Sequence, residues 1–130
     1  LALSEEQSID PIHAAALSLL SRIYFEMDNC KRAKAVMKAA MPAIIQHGHT
    51  FFQGEAWLTL AKCCLSEAKD CLLDEKEGKQ SGGEVSVQMR HLKRALVELQ
   101  HSADAFEKIQ DVKRLREVYY LKAQVCYSLP

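Results

Sequence analysis

The sequence has 130 residues, balances 17 Lys and Arg against 17 Asp and Glu, and is 48% hydrophobic and 26% charged. That apolar fraction suffices for a buried core and argues against a disordered chain, while the zero net charge disfavours a nucleic-acid-binding domain, which meets the phosphate backbone with a basic surface. No apolar run reaches the roughly 18–20 residues of a membrane-spanning helix, and 5 Gly with 3 Pro leave few turns for an all-β domain of many short strands.

Residues 1–9 carry no clear period. Asp10-Pro11 is a helix start, because Asp can cap free amide groups and Pro suits the first turn. The first predicted helix spans about 11–28 through Ala14, Leu17, Leu20, Ser21 and Tyr24, spaced by three and four residues. Asp28-Asn29 ends it. A second helix covers 31–47, with Ala33, Val36, Met37, Ala40 and Ile44 on one face and Gly48 as its stop. Pro42 lies inside it, so a kink or short break is expected there. A third covers 51–73 through Trp57, Leu60, Ala61, Cys64, Ala68, Cys71 and Leu72. Residues 74–84 are charged, Gly-bearing and aperiodic, and read as a flexible surface loop. A fourth helix spans 85–109 through Leu92, Ala95, Leu96, Leu99, Ala103 and Phe106. Asp111 can cap a fifth, which runs over 111–128. Its stripe is either Val118, Leu121, Val125 or Tyr119, Ala123, Cys126. No segment alternates convincingly at period two, so the fold class is all-α, with five helices.

Five cysteines (Cys30, Cys63, Cys64, Cys71 and Cys126) are an odd number without framework spacing. They read as reduced thiols of a cytosolic or nuclear protein. No signal peptide is recognisable. The chain opens at Leu1 and stops at Leu129-Pro130, directly after a patterned helix. It is expected to be a single all-α segment, residues 1–130, of a larger protein.

An internal repeat separates a solenoid from an unrelated bundle. Leu17, Leu20, Ser21 and Tyr24, followed by Ala33, Met37 and Ala40, fit the large-and-small residue order of a tetratricopeptide helix pair. Trp57, Leu60, Ala61 and Cys64 repeat the first-helix pattern, and Ala95, Leu99 and Ser102 the second. The fifth helix then opens a third repeat whose second helix is missing. Small residues let paired helices approach closely, and large ones fill the groove between neighbours. The expected architecture is an α-solenoid segment of tetratricopeptide-like hairpins.

Three stretches carry a more particular likeness: Ala39–Ile45 with Gly48, then Gly54–Cys63, then Ala105–Ile109 with Asp111, Arg114 and Val118–Ala123. Together they resemble the tetratricopeptide region of the fifth-subunit family of the anaphase-promoting complex (cyclosome). The resemblance covers most of residues 11–130, with the loop at 74–84 as a variable insertion. It implies a non-catalytic scaffold segment of a multi-subunit E3 ubiquitin ligase that acts in mitosis and cell division. Its implied partners are other protein subunits of that complex, and its implied location is nucleus and cytoplasm.

Signs of catalysis are sparse. There is no Gly-rich phosphate loop, nucleophile elbow or zinc-protease motif, and the chain is read as no enzyme, with no cofactor, no metal, no nucleic acid, no membrane and no small-molecule substrate. His47 and His49 read as ordinary loop histidines, because no second ligand pair accompanies them. Cys63, Cys64 and Cys71 read as core thiols. Lys113, Arg114 and Arg116 read as a solvated helix face, and Ser81 and Ser86 as exposed loop serines. The functional surface is instead the concave wall, formed by first-helix residues that face away from their partner helix. These are Ser18, Arg22 and Phe25, then Leu58, Lys62 and Leu65, then Tyr119. Apolar Phe25, Leu58 and Leu65 on such a wall mark a partner surface unless a helix of the same chain covers them. A second reading is a free-standing adaptor that captures short peptide tails along this wall. Arg22 and Lys62 are its only cations, too few for the chaperone-tail binding kind of repeat.

Overall fold

The computed structural model describes residues 11–76 and 82–128, with side chains for 12–70 and 87–128. Five helices follow one another: α1 (Pro11–Glu26), α2 (Cys30–His47), α3 (Thr50–Lys76), α4 (Gly82–Lys108) and α5 (Val112–Ser128). The described residues contain no strand, so the fold is all-α. The helices form hairpins, α1 with α2 and α3 with α4, and each helix packs on the next in sequence. The most extensive packing is between α3 and α4, and α1 also touches α3.

Two of the connections are the same turn built from different residues. Asp28 and Gln110 adopt left-handed backbone, with φ of 60° and 56°. After α1, the Asn29 amide donates to the Tyr24 carbonyl and the Asp28 amide to Phe25; after α4, the Asp111 amide donates to Phe106 and the Gln110 amide to Glu107. This paired bonding satisfies the last carbonyls of each helix without glycine. The next residue caps the following helix. Asn29 Oδ1 accepts from the Arg32 amide at 3.3 Å, and Asp111 Oδ1 accepts from the Arg114 amide at 3.1 Å. Gly48 closes α2 differently, donating its amide to Ile44 at 2.8 Å. A Cβ there would sit 2.5 Å from the Ile44 oxygen.

Beyond shifts of one or two residues at helix ends, the helices depart from the sequence reading in three places. α2 runs unbroken through Pro42. Pro42 and Lys38 both lie on the exposed face of the helix, where losing one amide donor costs less than it would in the core. α3 continues to Lys76 and α4 starts at Gly82, so residues 74–76 and 82–84 of the expected loop are helical. Good helix formers such as Glu75 and Lys76 sustain α3. Residues 77–81, including Ser81, lie outside the described residues, and Ser86 belongs to α4.

Small residues set the spacing. Ala33, Ala40, Ala61 and Ala95 are wholly buried. Gly54 is the tightest point, since a Cβ there would lie 2.8 Å from the Phe106 ring. Each hairpin also carries a buried hydroxyl bond across the pair: Ser21 donates to the Ala33 carbonyl at 2.6 Å and Ser102 to the Gly54 carbonyl at 2.9 Å. Such bonds satisfy the serine inside the core. One apolar cluster joins α1, α2 and α3 around Met37, Ile44 and Leu60. Another joins α3, α4 and α5 around Leu58, Leu99, Phe106 and Val118. In α5 the buried stripe is Val118 and Val125 with Leu121 half-buried, while Tyr119, Ala123 and Cys126 are exposed.

Candidate partner-binding surface

A groove of about 880 Å³ opens between α1, α3, α4 and α5. Phe25 from the end of α1 and Lys62, Leu65 and Lys69 from α3 form one side. Leu92 comes from α4, and Tyr120, Leu121, Val125 and Tyr127 from α5. The helical step of three and four residues sets Lys62, Leu65 and Lys69 along one stripe of α3. Among the described residues no Asp or Glu lines the groove, and the charged side chains that do are Lys62 and Lys69.

Three of the seven predicted wall residues therefore meet in this groove: Phe25, Lys62 and Leu65. The other four go elsewhere. Ser18 and Leu58 are buried, at 7% and 1% exposure, and offer no surface. Leu58 shares its cluster with Leu99 of α4 and Val118 of α5, so helices of the same chain cover it. Arg22 lies in a separate shallow groove of about 360 Å³ on α1, with Leu19, Ile23, Glu26 and Met27. Tyr119 projects from α5, and its hydroxyl donates to the exposed Glu107 carboxylate. That bond, made to the protonated phenol, pushes the Tyr119 pKa up. The α5 wall, Tyr120, Leu121, Val125 and Tyr127, escaped the sequence reading because the register of the fifth helix was open. The Val118–Leu121–Val125 stripe was its available signal.

Charges tie the groove's wall together. Lys62 Nζ lies 2.8 Å from Glu117 of α5, and Arg114 lies 2.9 Å from Glu55 of α3 and 3.8 Å from Glu117. The Arg114 guanidinium also sits over the Phe51 ring at 5.5 Å. A second polar cluster fills the junction of α2, α3 and α4. Lys34 reaches Glu67 at 3.3 Å, His91 stands 3.6 Å from the same carboxylate, and the Cys64 thiol donates to Glu98 at 3.0 Å. Burial raises the Glu98 pKa. Burial, then the Glu98 contacts, push the Cys64 thiol up to about 12; burial and the neighbouring Cys30 do the same to Cys63. At neutral pH both are protonated thiols, so Cys64 serves as a hydrogen-bond donor rather than a nucleophile.

Cys30, Cys63 and Cys64 are buried free thiols and Cys126 is an exposed one; the Cys71 side chain lies outside the described residues. His47 and His49 are exposed. Among the described residues no group of three or more His, Cys, Asp or Glu side chains is placed to hold a metal ion, and no helix is long and apolar enough to cross a membrane. Comparisons with protein-family models, with curated proteins and with solved structures find no match.

Proposed function

We propose that this chain is a non-catalytic scaffold segment that helps assemble the subunits of a ubiquitin ligase of the anaphase-promoting type, active in nucleus and cytoplasm during cell division. The choice of complex is supported only by the sequence likeness at Ala39–Ile45 with Gly48, at Gly54–Cys63, and at Ala105–Ile109 with Asp111, Arg114 and Val118–Ala123. The observation that carries the scaffold role is the open apolar groove between α1, α3, α4 and α5, held on a ladder of helices with buried hydroxyl and ion-pair ties. Such a surface suits lasting contact with another protein. The balanced charge fits the same role, because it favours packing among proteins over capture of a highly charged ligand.

The test is affinity purification of the full-length parent protein followed by mass spectrometry of what accompanies it. Stoichiometric recovery of cell-cycle ligase subunits supports the reading, and a preparation free of them contradicts it. The adaptor reading draws on the same groove, where Phe25 and Leu65 offer apolar contact and where an acidic peptide group would meet Lys69, and Lys62 in competition with Glu117. It calls for reversible binding that Lys62→Glu weakens. Arg22 lies in a different groove, so Arg22→Glu leaves that binding unchanged.

A further inference from the structure

The α1 helix carries an exposed apolar stripe. Leu19, Ile23 and Met27 are 58%, 55% and 69% exposed, and Leu20 and Ala16 are also open. The internal repeat says what such a stripe is for. Trp57, Leu60, Ala61 and Cys64 follow Leu17, Leu20, Ser21 and Tyr24 at a spacing of forty residues. The same spacing places Ala16 on Ala56, Leu20 on Leu60, Ile23 on Cys63 and Met27 on Glu67. In α3 those four positions form the face given to the preceding helix. Ala56 and Leu60 share a buried cluster with Met37, Ala40 and Ile44 of α2. Cys63 packs with Cys30 and Ala33, and Glu67 pairs with Lys34 at 3.3 Å. The hairpin-facing positions agree as well: Ser21 and Ala61 are both wholly buried, as the spacing requires.

We propose that the open face of α1 seats one amphipathic helix of an adjoining hairpin of the same solenoid, in the place α2 takes on α3. The interface already present between α2 and α3 is thereby continued one step along the repeat. The occupant resembles α2 in chemistry: small residues like Ala33 and Ala40 let it approach, and knobs like Met37 and Ile44 fill the spaces around Leu20 and Ile23. Met27 stands where α3 carries Glu67, so this seat is more apolar than its counterpart and needs no lysine opposite it. The inference rests on the repeat and holds whichever complex the chain belongs to.

A labelled peptide with the sequence of Asn29–Gly48 is a direct probe, titrated with the 130-residue chain and followed by fluorescence anisotropy. Saturable binding is expected, weakened about tenfold or more by Ile23→Glu or Leu20→Glu, as the loss of one apolar anchor implies. Val97→Glu, on an exposed site of α4, leaves it unchanged. Both target side chains are solvent-accessible, so far-UV circular dichroism of the variants should match the unmodified chain. No saturable binding, or binding indifferent to Ile23→Glu, overturns the proposal. Sedimentation of the same samples gives a separate check: a dimer that Ile23→Glu dissolves assigns the face to a second copy and equally overturns it.

Discussion

The two helical hairpins share one pattern and differ in what their neighbours cover. α1 and α2 have 16 and 18 residues, and α3 and α4 have 27 each. Both bury a serine whose hydroxyl bonds to a backbone carbonyl across the pair, but Ser21 sits on the leading helix and Ser102 on the following one. Leu20 and Leu60 occupy the same repeat position, yet they are 38% and 2% exposed. The difference lies in the stack: α3 lies between α2 and α4, whereas among the described residues no helix covers the matching face of α1. Pattern therefore decides which residues form a helix face, and position in the stack decides whether that face becomes core.

The largest contrast is expected at those matched leucines. Leu60→Ala should cost about 2–5 kcal/mol through a cavity, and Leu20→Ala less than about 1 kcal/mol, in urea unfolding of the same chain. Equal losses would break the comparison. The next effect follows from the thiols of α3, which face α2 and α4. Their folded pKa values, about 12, stand above the ordinary 9.0, so the folded state holds their protons more tightly. Their contribution is complete below about pH 9 and falls away as pH rises toward 12, by a few kcal/mol. Cys63→Ala should flatten part of that decline in unfolding midpoints measured between pH 8 and 11. Smaller still is the turn at Gln110. Its left-handed backbone costs about 1 kcal/mol for a residue with a Cβ, so Gln110→Gly should raise the melting temperature by several degrees. A fall would mean that the Gln110 side chain makes a contact worth more than the backbone relief.

Much of the fold was legible because helix faces, caps and stops are local. Asp111 caps as its residue type foretells, Asn29, read only as the end of α1, also caps α2, and the small residues at 33, 40, 61 and 95 are buried as the repeat order requires. The left-handed turn at Gln110 was not legible, because a glutamine gives no sign of it. The wall of the groove was only half readable. Phe25, Lys62 and Leu65 come from two helices of known register, but Leu58 on the same nominal stripe is taken by Leu99 and Val118. That burial depends on how α5 settles on α3, a long-range contact with no local signature. The Cys64–Glu98 bond is of the same kind, joining residues far apart in sequence.

The central claim, that the hairpins are two settings of one unit, is tested most directly at their closest approach. In the second, Gly54 makes room for Phe106; at the matching places of the first, Ala14 and Ile44 share one buried cluster. The decisive measurement is a double-mutant cycle by urea unfolding on Gly54→Ala and Phe106→Ile. Gly54→Ala alone should lose about 1–3 kcal/mol by driving a methyl into the ring. The pair, which copies the first hairpin's solution into the second, should be more stable than the sum of the single losses predicts, by about 1 kcal/mol or more. Simple additivity would contradict the account, because the two hairpins would then not be interchangeable at the point where they touch most closely.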